Sequence, residues 1–403
     1  MGLEWLRFFL GFYIMIYHTL HTYGGYQKYT HYFTDLGFIS TSCFFILSGF
    51  LLSHVYLTWG GEEIKMRESP KSFMIKRLSN LYPIHIGSFL FFILAVVFIS
   101  WASVLPYDSS YTIRAVTYDI NRVTMPGESS HIMSNVEVFV TIIMNILLLQ
   151  SWNPYYLTYN IPAWSISTLM FFYLCFPFVS KTVVKIKKIK TSVVLLNAIY
   201  LLPVILVVIF SNHDMPETGF LQRNPIARLP EFIAGIMLCV IYHGRKEGSK
   251  NRKTVFLLST VFISSLFIAS YILSIGKNYL YYFLHNGLLL IPQMGLIYIF
   301  AIMKMDFGQK MNKIGSSLGG ASLPMFALHI PIFMIFVRIE RVLYGDPLSC
   351  FDGLRECISL AGDKSIYAYP FYLLMTTILC IYFQKYFVVY FKDKIQGVFL
   401  KKS

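Results

Sequence analysis

What most constrains this chain is a recurring pattern of apolar blocks, each about 18 to 25 residues long, divided by short polar segments. A block of that length crosses roughly 30 Å of hydrocarbon as an α-helix, whose backbone satisfies its own hydrogen bonds where the solvent offers none. The blocks lie near residues 3–20, 37–57, 81–105, 161–180, 192–210, 227–242, 255–273, 280–303, 318–337 and 367–391. They predict an all-α polytopic transmembrane bundle of about ten spans, one integral membrane domain over residues 1–403. Composition agrees: at 56% apolar and 13% charged residues, 403 residues have too little polar surface to enclose a water-soluble core.

The formal net charge of +14 does not describe a nucleic-acid-binding face, because the Lys and Arg residues cluster beside the apolar blocks. Clusters at Lys65, Arg67, Lys71, Lys76 and Arg77, at Lys181 to Lys190, at Arg245 to Lys253, at Lys304 to Lys313 and at Lys392 to Lys402 set orientation. All are expected on the cytoplasmic side, with both termini, and they add attraction to anionic membrane lipid or a polyanionic cofactor. The apolar stretch 136–149 breaks the alternation if it crosses, so it is expected as a re-entrant or interfacial segment. The first block holds Arg7 and His18 and has no small-residue cleavage pattern behind it, so it reads as a span rather than a cleaved signal. Outward loops fall around 23–35, 106–135, 211–225 and 338–365, too small for a separate catalytic domain, which leaves any chemistry to the bundle. Cys350 and Cys357 share the last of these loops and pair if it faces an oxidising compartment; the other four Cys lie inside apolar blocks as small hydrophobes.

Ionisable residues within spans are costly and therefore mark sites. Arg7 and His18 are eleven positions apart, about three helical turns, so one face carries a cation and an imidazole roughly 16 Å apart along the axis. Taken singly, Arg7 serves equally as a snorkelling cation and His18 as an interfacial ring. Taken together, His18 suits a general base, and Asp35, at similar depth, is the nearest carboxylate to hold its tautomer, or else a solvated loop residue. Lys76 and Arg77 fit an anionic cofactor's phosphates or a plain topology anchor. Arg228 and Glu231, three apart on one helical face, make an ion pair of structural or substrate-binding use, and His329 before Pro331 adds a second imidazole or a packed core ring. No HExxH, GxSxG, P-loop or CxxC pattern is present, so no metal is expected.

At these positions the chain resembles the acyltransferase 3 family of membrane O-acyltransferases that modify bacterial surface glycans. Arg7 and His18 fit its Arg-x10-His pattern, and Cys43 to Phe50 is similar to its FF-[VI]-LSGF segment. Lys76 to His85 resembles its basic element. Asn145 to Trp152 with Asn160 to Ser167, continuing into Phe172, Tyr173, Leu174 and Pro177, resembles N-LLLQSW followed by N-x-P-x-WSLS. Arg228 to Gly235 matches RxPEFxxG, and Leu328 to Pro331 the late L-H-x-P. The resemblance implies acetyl-CoA or another acyl-CoA as cytoplasmic co-substrate, and an envelope glycan or lipid-linked sugar hydroxyl as acceptor across a bacterial inner membrane. By position, His18 becomes the catalytic base and Arg7 and Arg77 the donor contacts, while Trp164, Ser165 and Tyr173 become lining residues. Two departures stand out: Thr168-Leu169-Met170 where the family commonly carries an acidic residue, and Asn80 where a second Arg is usual. On composition alone a multi-span transporter or flippase fits the same frame, and the departures suit an inactive family member. No nucleic acid is expected, and the pattern sets neither acceptor nor oligomeric state.

Overall fold

The computed structural model describes residues 2–24, 34–61, 63–102, 114–116, 130–211, 216–245, 252–276, 278–303, 307–353, 356–357 and 360–400. Lys246, Lys250, Lys304, Lys401 and Lys402, residues 25–33 and most of the segment 106–135 lie outside these. In chain order the helices are α1 (Gly2–Thr19), α2 (Phe38–Tyr56), α3 (Pro70–Ala102), α4 (Asn135–Ile146), α5 (Trp164–Val183), α6 (Ile189–Phe210), α7 (Glu217–Arg223) and α8 (Pro225–His243). They continue as α9 (Arg252–Ser274), α10 (Asn278–Phe283), α11 (Leu290–Ile302), α12 (Gly308–Gly320), α13 (Ser322–Tyr344), α14 (Tyr369–Tyr382) and α15 (Val389–Phe399). A short antiparallel pair, Arg114–Val116 with Ser130–Ile132, is the exception to an otherwise helical fold among the described residues.

Eight described helices are long and apolar enough to cross a membrane, and Tyr279–Leu288 with Leu290–Ile302, meeting at a 42° bend, makes a ninth if the pair is one span. The protein is a multi-pass membrane protein with an all-α polytopic bundle. The first expected span, residues 3–20, corresponds to α1, which bears Glu4, Arg7 and His18 and is not among the helices that pass on length and apolarity. The 136–149 stretch forms α4, twelve residues long and too short to cross. Ser134 and Glu137 start it with a reciprocal capping box, and the chain leaves it through Leu148 at φ 57°. Its apolar side is exposed, as for Val136 and Phe139, while the imidazole of His85 on α3 meets the Asn145 carbonyl at 2.6 Å on its inner side.

α2 is the bundle's axis. It is apolar all round, as a helix packed on every side must be, and 83% of its span is buried against 6% of α9, whose Phe256 and Phe267 point outward. Without a hydrophobic force between helices in lipid, close packing of small residues holds spans together. The α2–α8 crossing depends on this: a Cβ at Gly49 would lie 2.1 Å from the Phe232 carbonyl oxygen, and one at Gly235 1.9 Å from that of Ile46. α1 lies against α2, with Ser40 of α2 donating to the Leu10 carbonyl of α1 at 2.5 Å, and α13 packs on α1. Beyond α13, Cys350 and Cys357 are paired as a disulfide, the pairing open to them from the sequence. Lys364 ties the same loop to the chain just past His18 by donating to the Thr22 carbonyl.

Candidate active site

Arg7 and His18 open onto separate cavities at two levels of α1. The Arg7 cavity, about 210 Å³, is lined from α1, α2, α3 and α5 by Glu4, Ser48, Tyr56, Arg77, Asn80 and Tyr173 among others. Arg7 reaches Glu4 Oε2 at 3.3 Å. Arg77 donates to the Tyr56 hydroxyl, with its guanidinium 4.6 Å from that ring's centre, and its Nε is buried without a hydrogen-bond partner. Two guanidiniums against one carboxylate leave net positive charge and forked donors, a setting for an anionic or carbonyl oxygen.

The His18 cavity, about 40 Å³, is walled by Tyr17, Trp164, Ser165, Gln222, His285 and Phe326 among others. That volume holds roughly two or three water-sized groups. His18 Nδ1 lies 2.8 Å from His329 Nε2, with ring planes 6° apart and centres 5.0 Å apart, an edge-to-edge hydrogen bond. The tautomers follow from what lies behind. His329 Nδ1 sits 2.7 Å from the Met325 carbonyl, which only accepts, so Nδ1 carries the hydrogen. With one hydrogen on each ring, His329 Nε2 accepts, His18 Nδ1 donates, and His18 Nε2 keeps its lone pair. The geometry thus fixes one tautomer of His18.

Between the cavities stand Phe44, on the Arg7 side, and Phe326, on the His18 side, with ring centres 4.8 Å apart. Behind the His18 cavity lies a fully buried polar layer. Arg228 and Glu231, 0% and 1% exposed, pair at 2.8 Å, and Arg228 also donates to Ser42 Oγ at 2.8 Å and to His285 Nδ1 at 2.6 Å. A separate group, His54, Cys239 and His243, has ligand-type atoms within 4.8 Å of one another. Arg67 and Arg245 act electrostatically on it, which opposes a cation, and His54 Nδ1 and His243 Nε2 meet at 3.0 Å.

A sequence profile described as an acyltransferase domain matches residues 2–385. The chain belongs to the acyltransferase 3 family. "Acyltransferase MdmB" from Streptomyces mycarofaciens is 28% identical over 223 residues, covering 52% of this chain and 47% of that protein. The chain therefore spans about half the length of that relative. No solved structure matches.

Within this acyltransferase 3 fold the motif residues divide between the two cavities. Arg7, Arg77 and Tyr173 share one cavity; His18, Trp164 and Ser165 line the other, with His329 directly behind His18. Gly49 of the FF-[VI]-LSGF segment and Gly235 of RxPEFxxG belong to one helix crossing. Several expectations need correcting. His329 rather than Asp35 holds His18 Nδ1, and Asp35 is not among the residues lining the His18 cavity, since it precedes α2 rather than sitting on a wall. Lys76 does not join Arg77: Glu68 draws it away at 2.5 Å, and it does not line the Arg7 cavity. Arg228 and Glu231 line neither cavity, because their charges are spent on each other and on the layer behind. Leu169, where the family commonly has an acid, packs at 0% exposure in the apolar core, so the departure leaves no polar gap. Asn80 still lines the Arg7 cavity, with an amide in place of a cation. Sequence reasoning missed His285 and Gln222. His285 carried a readable signal, an imidazole beside Asn286 and Gly287 inside an apolar block.

Proposed function

We propose that this membrane acyltransferase moves an acyl group, acetyl in the first instance, from cytoplasmic acyl-CoA to a hydroxyl of an envelope glycan or lipid-linked sugar. The observation that carries the reading is the pair of cavities on α1, cationic at Arg7 and Arg77 and holding an imidazole at His18, with Phe44 of one in ring contact with Phe326 of the other. Basic clusters flank the Arg7 end, at Arg67 to Arg77 and Lys181 to Lys190, which supports a cytoplasmic donor side. The Cys350–Cys357 disulfide lies beyond His18 and supports an oxidising compartment at the acceptor end.

In this reading Arg7 and Arg77 engage the oxygens of the donor while its thioester reaches toward His18. His18 Nε2 removes the acceptor hydroxyl proton as that oxygen attacks the thioester carbonyl carbon. The imidazolium that forms is stabilised by the Nδ1–H bond to His329, a neutral acceptor in the place where a carboxylate often stands. A thioester is activated enough for a weaker relay to serve. Collapse of the tetrahedral intermediate expels the thiolate, which takes the proton back from His18.

The test is release of CoA thiol from acetyl-CoA by purified protein in detergent, supplied with total envelope glycan and lipid extract as acceptor pool. Acceptor-dependent release with label appearing as an ester supports the proposal. Binding of acetyl-CoA without turnover, or transport of the acceptor without acylation, overturns it.

A further inference from the structure

We infer that His285 is the oxyanion donor of this site, its Nε2–H aimed at the developing negative oxygen of the thioester carbonyl. The inference rests on the acyl-transfer reading of the His18 cavity and adds a residue to it.

His285 lies in a π turn, Leu284–Leu288, where the backbone leaves helical geometry at Asn286 (φ −124°, ψ 51°) and Gly287 (φ 141°). Breaks of this kind within helices are frequent at functional sites. Gly287 is needed for it: its φ is in the left-handed half, and a Cβ there would lie 2.7 Å from Leu201. The turn is held by Arg228, whose Nη1 donates to the His285 carbonyl at 3.0 Å, to Asn286 Oδ1 at 3.2 Å and to His285 Nδ1 at 2.6 Å.

The last contact fixes the chemistry. A guanidinium only donates, so His285 Nδ1 must accept, and its single ring hydrogen stands on Nε2. With Nδ1 occupied the ring has no room for a second proton. Phe38 and Tyr281 flank it, each with ring centres 5.4 Å away, and the whole residue is 4% exposed while lining the His18 cavity. One small cavity is thus lined both by His18 and by His285, whose ring hydrogen stands on Nε2, the ring nitrogen away from Arg228. A buried cation 2.6 Å behind the ring polarises that N–H and strengthens it as a donor in a water-poor site. This also gives the Arg228–Glu231 pair a use its burial otherwise hides: Glu231 compensates the cation, and the cation sets the tautomer.

In the step itself, the acceptor oxygen bonds to the carbonyl carbon and its proton passes to His18 Nε2. The carbonyl π pair moves onto oxygen, which accepts the His285 hydrogen bond without taking the proton. The pair then returns, the carbon–sulfur bond breaks, and the thiolate is protonated from His18. His285 ends as it began.

The experiment compares wild type, His285→Ala and His285→Gln as full-length proteins in detergent, with acetyl-CoA and envelope extract, after each is shown to be monodisperse. His285→Ala is expected to lose kcat by about 10²- to 10³-fold, the range for removing one oxyanion donor, with acetyl-CoA affinity unchanged. His285→Gln, which restores an N–H, is expected to recover at least about tenfold of this loss. Full kcat in the Ala variant, or equal loss in both, overturns the inference while leaving acyl transfer standing; an inactive wild type overturns the reading beneath it. If neither variant folds, the infrared stretch of a ¹³C-carbonyl acetyl-CoA analogue is compared in wild type and Arg77→Ala. A shift to lower frequency on binding that persists in Arg77→Ala supports a carbonyl donor in the His18 cavity, and an unshifted band, or a shift lost with Arg77, contradicts the inference.

Discussion

At the scale of single residues, function concentrates where charge or imidazole is placed against the cost of burial. His18→Ala removes the proposed base, so turnover should fall on the order of 10²- to 10⁴-fold while expression and acetyl-CoA affinity hold, which paired kinetics and calorimetry would check. His329→Ala keeps that base but frees its tautomer. A smaller loss, about tenfold, should appear in kcat rather than in the donor KM, consistent with one neutral hydrogen bond of about 1 kcal/mol. Arg77→Ala should act the opposite way. Hydrogen bonds to a charged group are worth about 1.5–3 kcal/mol, so acetyl-CoA affinity should weaken roughly 10- to 100-fold with kcat less affected. Arg7 and His18 were conspicuous in the sequence because a charge or imidazole in an apolar block is costly, and Arg77 because its basic cluster opens the 81–105 block and fits the family resemblance. The partner of His18 was not. His329 lies 311 positions away, and only the packing of α1 on α13 brings them together, whereas Asp35 offered a carboxylate nearby in sequence. Lys76 was misplaced for a similar reason: nothing local announced that Glu68, eight positions back, would hold it.

At the scale of elements, the apolar blocks foretold the helices well because hydrocarbon permits little else. The 136–149 segment shows how charge and length combine: the basic cluster after α5 argued against a crossing, and α4 proves too short to make one. The bend between Tyr279–Leu288 and Leu290–Ile302 was hidden, since an apolar run of that length reads as one straight span and the π turn is set by Arg228 from another helix. Glycine spacing carried information that only packing made plain. Gly235→Leu would drive a side chain into the Ile46 carbonyl and separate α2 from α8. Overpacking costs about 1–3 kcal/mol even where side chains alone must give way, so a clear fall in melting temperature is expected, followed by differential scanning fluorimetry. Retention of the wild-type melting temperature would show that the crossing is not a close-packed contact.

At the scale of the whole molecule, the proposed reaction divides between two levels of the bundle: the proposed donor end is the cationic Arg7 cavity, the proposed acceptor end is the His18 cavity, and Phe44 and Phe326 stand between them. Orientation follows from the account and is separately measurable. In intact cells, after mild reduction, the exposed Cys350 should react with a membrane-impermeant maleimide; protection in intact cells with reaction only after lysis would reverse the proposed sidedness. The most direct test of the central claim is transfer of labelled acetyl from acetyl-CoA to an envelope extract by purified wild type and by His18→Ala protein. The account predicts labelled ester from wild type and none above background from the variant. Equal transfer by both, or none by a well-folded wild type that binds the donor, would contradict it.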